Sequence, residues 1–262
     1  MKIDHISASQ IKTYIRCPAA YRFSYGMGLR ADTINKNMAI GIGVGKALAE
    51  DWQGKPMAQA LDLWSDTWRD YMGQAWDLID PDEDRAAIVD KGVDMLTALA
   101  ASDLPAHLGM PEYFVKTTLA DPDTGEALPE LYAYFDFYDP LANSIYELKT
   151  SRGIGKWDAH LVQLALYEAA ATQSTEDGPA EPPSVSLIQV SRAKKPRVQV
   201  DPCEITHQQS QWVLRSTAQI VRAIEADQTP ALPSFMCAGC EFKRACQSRD
   251  FTGLVEKKHS RS

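Results

Sequence analysis

The twenty residues LYAYFDFYDPLANSIYELKT (131–150) constrain the fold more than any other stretch of this 262-residue chain. Short runs of alternating character lie on either side of DPLAN, a set of turn residues, so the segment reads as a β-hairpin. If Asp139 pairs with Ser144 across the turn, Asp136 falls opposite Glu147. Directly opposed Cβ atoms lie roughly 4.5–5.5 Å apart, where two like charges destabilise a sheet unless something compensates them. A divalent cation is one such compensation. Lys149 shares the face of Glu147, because strand side chains alternate.

The hairpin sits among other strand and helix signals. EYFVKTTL precedes it as a strand, WDAHLVQLALYEAAATQ follows as a long helix, SVSLIQVS and RVQVD read as strands, and a helix is expected from about Thr206 to Ala226. Near the start, Ser7 and Gln10 form a capping-box pattern for a helix with Ile11, Tyr14 and Ile15 on one face, and Pro18 should end or restart it after Cys17. From Ala47 to about Ala101 the pattern is helical, with Trp52, Leu61, Trp64, Trp68, Met72 and Trp76 as apolar positions. The order predicts an α/β fold with a mixed central sheet flanked by helices and a helical insertion before it.

With 45% hydrophobic residues the chain can fill a sizeable core, and no run of eighteen apolar residues occurs, so a cytoplasmic protein without a membrane segment is expected. The net charge of -8 argues at first against a nucleic-acid partner. Residues 62–94, however, hold ten acids and three bases and carry nearly the whole imbalance. SRAKKPR (191–197), with Arg192, Lys194, Lys195 and Arg197, and the tail from Lys243 are locally basic, which leaves room for a positive groove or for solvated faces.

Two carboxylates and an ammonium on one sheet face suit metal-assisted hydrolysis of a phosphodiester: hard oxygen ligands select Mg2+ or Mn2+, and the lysine stabilises developing negative charge. In the helix that follows, Gln163 and Tyr167 are four apart and share a face that could look back toward the metal. Asp136, ELK (147–149) and QLALY (163–167) together resemble the PD-(D/E)XK nuclease superfamily, specifically its RecB-like branch, and SASQIKTYIRCPAAYRFSY resembles the opening of such nucleases. The resemblance covers most of the chain. It implies a restriction-endonuclease-like fold and a metal-dependent DNA exonuclease in recombination, repair, phage replication or CRISPR adaptation. Asp136 and Glu147, with Leu148 between Glu147 and Lys149, would hold the metal. Lys149 would assist the attacking water, and Gln163 with Tyr167 would contact or position the nucleic-acid strand. The alternative is a catalytically inactive subunit of the same fold that binds DNA or a protein partner. Oligomeric state is left open.

CAGCEFKRAC places Cys237, Cys240 and Cys246 at a spacing suited to metal or cluster ligation, with Cys17 or Cys203 as the fourth ligand. RCPAAY resembles the first-ligand segment of RecB-like nucleases that carry an iron–sulfur cluster, including CRISPR-adaptation nucleases and AddB-type subunits. That resemblance implies a [4Fe-4S] cluster on Cys17, Cys237, Cys240 and Cys246 clamping the two ends of the chain. A four-thiolate Zn2+ site is the alternative. The expected organisation is one nuclease domain over 1–262: a helical subdomain at 46–110, a core at 111–230, a cluster segment at 231–250 and a basic tail at 251–262.

GIGVGKALAE (41–50) invites a nucleotide reading, but a phosphate loop needs glycine where Ile40 stands and Ser or Thr where Ala47 stands. RecB-like nucleases instead carry a stretch resembling GxxxH at the start of a helix, with the histidine as a further metal ligand. The pattern from Gly41 puts Gly45 at that position, with Glu50 or water as candidate substitutes.

Overall fold

The computed structural model describes residues 3–51, 68–69, 72–105, 108–173 and 181–256. Its centre is a five-stranded sheet of β2 (Met110–Thr117), β3 (Leu131–Asp139), β4 (Ser144–Ser151), β5 (Ser184–Ser191) and β6 (Val198–Pro202), in that spatial order. Only the β4–β5 pair is parallel, so the sheet is mixed. A short 3-10 turn at Trp157–His160 and helix α6 (Leu161–Gln173) make the crossover that a parallel pair requires. Asp139 pairs with Ser144, the register expected from the hairpin.

Each face of the sheet has its own apolar layer. On one side α1 (Ala8–Arg16), α6 and α7 (His207–Glu225) pack Ile11, Leu164, Ala170, Val213 and Val221 against Phe135, Ile145 and Leu187. On the other, α3 (Lys36–Asp51) and α5 (Arg85–Ala100) set Val44, Leu48, Met95 and Leu99 against Phe137, Leu148, Ile188 and Val190. The Ser7 side chain accepts from the Gln10 N–H and so caps α1, and an extended Cys17 separates it from α2 (Pro18–Tyr21), which opens with Pro18. Ile15 is exposed rather than packed with Ile11 on the face of α1 that meets the core, and Trp212 of α7 is exposed as well.

The helical region differs from expectation at its start. Helix α3 begins at Lys36, so the glycine run lies inside it. Three glycines lower intrinsic helix propensity, and local pattern alone therefore reads them as a loop. Packing reverses that preference at Gly43 and Gly92, where a Cβ would come within 2.2 Å and 1.8 Å of the Trp68 ring. The indole fills the space between α3 and α5 that these glycines leave. Trp52, Leu61 and Trp64 lie outside the described residues, as does the tail from residue 257; a four-residue helix, α4 (Gln74–Asp77), precedes α5.

The two ends of the chain meet beside the core. Strand β1 (Leu29–Ala31) pairs antiparallel with β7 (Leu254–Glu256), Phe23 stacks on Phe242, and the Tyr14 hydroxyl donates to the Gln228 carbonyl at 2.6 Å. Helix α8 (Lys243–Ser248) completes this second, smaller unit.

Candidate active site

Strands β3 and β4 form the floor of the site. Their paired register ends at Phe137 opposite Tyr146, one step short of Asp136 and Glu147. There the Leu148 N–H donates to Asp136 Oδ2 at 2.7 Å, so the aspartate is held by main chain across the fork. The two carboxylates are thus neighbours at the fork, just past the last residue pair of the hairpin. Glu147 is 1% exposed, and Lys149 makes an ion pair with its Oε1.

Burial and the Asp136 charge push Glu147 up to about 7, against the opposing pull of Lys149 and Lys12. Burial likewise raises Asp136 above the usual carboxylate range, with Lys149 pulling it back. Two neighbouring carboxylates that are both raised by desolvation, one of them fully buried, are stabilised in their charged forms by a nearby cation. Glu147 Oε2 is buried and has no hydrogen-bond partner among the described residues. That orphaned oxygen, beside Asp136, fits a hard divalent cation. Leu148 can serve such an ion only through its main chain.

Helix α6 stands behind Glu147. Gln163 Nε2 donates to Glu147 Oε1 at 2.6 Å and to the Tyr167 hydroxyl at 2.9 Å, and both side chains are buried. Of the two roles expected for Gln163 and Tyr167, their burial suits positioning rather than contact with a strand. Lys12 of α1 donates to Gln163 Oε1 at 2.8 Å. His160, one turn before Gln163, is held down to about 4 by burial and by Lys149 and Lys12. The buried Gln189 amide, opposite Lys149 in the β4–β5 register, bonds both the N–H and the carbonyl of Gly155 and anchors the loop leading into α6.

A pocket of about 400 Å³ opens over Asp136 and Lys149, walled by Gly41, Gly45 and Lys46 of α3. Gly45 thus reaches the site, as expected, though from within the helix. The Glu50 side chain lies outside the described residues. Glu112 also lines this pocket, and sequence reasoning missed it. The pairs Pro111–Phe137 and Tyr113–Phe135 put it opposite Asp136. Its φ of 48° is a left-handed value rare for a residue with a Cβ, and Lys46 pairs with it. Only the length of the β2–β3 connection, which local pattern does not set, could have revealed that register.

The cysteines gather elsewhere. Cys17, Cys237, Cys240 and Cys246 all line one cavity of about 350 Å³ under Phe23 and Phe242. The Ser234 N–H points at Cys237 Sγ at 3.4 Å, and the other three thiols push Cys246 upward, after burial. Among the described residues no three His, Cys, Asp or Glu side chains already close on a common metal position. The donor set, four thiols on one cavity, nevertheless suits a soft metal or cluster. Cys203 is not among them: it is buried in the core, its thiol pushed up to about 11. In SRAKKPR, Arg192 is tied to the Thr150 carbonyl at 2.7 Å beside the pocket, while Lys194, Lys195 and Arg197 are exposed.

The sequence pattern of the PD-(D/E)XK nuclease superfamily matches residues 5–247. Among solved structures, a candidate exonuclease from Eubacterium rectale superposes with a TM-score of 0.63 at 12% identity, covering 97% of this chain and 90% of that one. The structure of SSO0001 gives a TM-score of 0.38 at 11% identity over 83% and 87% of the two chains. No curated protein sequence matches significantly. At these identities the likeness is one of fold.

Proposed function

Since this chain belongs to the PD-(D/E)XK nuclease superfamily, we propose that it is a RecB-like, Mg2+- or Mn2+-dependent DNA exonuclease. The observation that carries this reading is the Asp136–Glu147 pair, with a buried, unpartnered Glu147 oxygen, beside a pocket that Asp136 and Lys149 line. A divalent ion there would polarise a phosphodiester oxygen and lower the pKa of water. The protein supplies the rest. The Leu148 N–H and Gln163 fix the two carboxylates, and the Lys149 ammonium stands where negative charge develops. Arg192 lines an adjoining pocket that shares Gly41, Ile42 and Thr150 with this one, where it would meet a phosphate of the strand. The exonuclease label on the fold neighbour agrees with this reading and adds an expectation that cutting starts from an end.

The experiment is digestion of end-labelled linear DNA and of closed circular DNA with Mn2+. Linear DNA is degraded and circular DNA spared, and Lys149→Ala lowers the rate by about 10²–10³-fold. Cleavage undiminished by that change rejects the assignment. A second reading, an inactive DNA- or partner-binding subunit, is favoured by Gly45, which offers no side-chain ligand on the α3 side of the pocket; binding of DNA without Mn2+-dependent cleavage selects it.

The cavity shared by Cys17, Cys237, Cys240 and Cys246 supports a [4Fe-4S] cluster, with Zn2+ as the alternative, holding α1 to the segment before α8. Contacts from Tyr14, Phe23 and β1 to the C-terminal segment already align these ends.

A further inference from the structure

A protonated lysine can only donate hydrogen bonds, whereas a glutamine amide offers one accepting and one donating end. Whatever faces Lys12 Nζ must therefore be the oxygen of Gln163, and it is, at 2.8 Å. The other end of the same amide, Nε2, is thereby turned to Glu147 Oε1 at 2.6 Å. With Lys149 also on Oε1, the second oxygen of Glu147 is left free of protein partners among the described residues. Without Lys12 the amide could turn over, and its oxygen would then meet the carboxylate.

We propose that Lys12 is a positioning residue for the catalytic carboxylate: it fixes the Gln163 amide, and through it the orientation of Glu147. This rests on the reading of Glu147 as catalytic. It assigns the N-terminal helix a part in the active site, although 135 residues separate Lys12 from Glu147 in the chain. Helix α1 is well placed for this. Its own position is set by the buried Ile11, by the Tyr14 bond to Gln228 and by Cys17 at its end, and its contacts include α6. The lysine thus reaches the amide from a rigid base.

Two measurements on the full chain test this. The first needs no activity: the Gln163 side-chain amide, assigned in nitrogen-15 NMR by its loss in Gln163→Leu, is expected to show two slowly exchanging protons in wild type. It should shift and exchange faster in Lys12→Met. An amide unchanged in Lys12→Met overturns the proposal, whether or not the protein cuts DNA. The second is a cleavage cycle at saturating Mn2+. Lys12→Met and Gln163→Leu each lower kcat by about 10- to 100-fold with KM for DNA little changed. The double variant is no slower than Gln163→Leu, because both act through one contact. An effect of Lys12→Met that falls on KM, or that persists undiminished in the Gln163→Leu background, makes Lys12 a direct strand contact or a fold-stabilising residue and overturns the proposal. If wild type leaves DNA intact, the catalytic reading fails while the NMR result still decides the Lys12–Gln163 contact.

Discussion

Gly45 lines the pocket over Asp136 and Lys149, and nothing lies within 4 Å of a Cβ built there. Gly45→His is therefore expected to fold as wild type does and to tighten Mn2+ binding by about tenfold, equivalent to ~1.4 kcal/mol. Electron paramagnetic resonance of free Mn2+ measures this. Unchanged affinity would mean that residue 45 does not face the metal position. The carboxylates, the lysine and the Gln163–Tyr167 pair were readable in sequence because strand alternation and helical spacing are local rules. Lys12 and Glu112 were not. A lysine on a helix reads as a solvated charge, and a glutamate at the start of a strand reads as an edge. Only tertiary register brings them to Glu147 and Asp136.

At the scale of elements, the five sheet strands and the Asp139–Ser144 hairpin pairing followed from periodicity and turn chemistry, whereas the start of α3 did not. Gly43 suits this helix because Trp68 occupies the space it leaves, a cause distant in sequence. A second long-range tie joins the β2–β3 connection to α7. Arg222 of α7 donates to the buried Asp121 at 2.6 Å, and this hydrogen bond, with one from the Asp123 N–H, holds the Asp121 pKa below its ordinary 3.8. A carboxylate lowered on folding contributes stability above its unfolded pKa and loses it as pH falls through the folded value. Asp121→Asn should thus be less stable than wild type at neutral pH, and the gap should close as pH drops below 3.8. Urea denaturation midpoints across that range check it; a gap independent of pH would assign the loss to packing.

For the molecule as a whole, the sheet and its two helical layers form the nuclease framework, and the joined chain ends form a buttress beside it. The buttress was legible only through its cysteines, since the β1–β7 pair involves three residues from each end and has no periodic signature. Anaerobically purified protein is expected to be brown, with visible absorbance that Cys17→Ser removes. A colourless protein holding zinc selects the four-thiolate alternative. Among the described residues no helix is long and apolar enough to cross a membrane. Lys149 and Lys46 line one pocket, each paired with a glutamate, and Arg192 lines an adjoining one.

In the proposed reaction the Asp136–Glu147 pair binds the metal that cuts DNA, and a Mn2+ titration of single-turnover cleavage in wild type and Glu147→Gln tests it. Wild type should show cleavage that saturates with Mn2+, with Glu147→Gln slower by about 10²-fold or more at every concentration. Equal rates and equal Mn2+ dependence in the two proteins would contradict it.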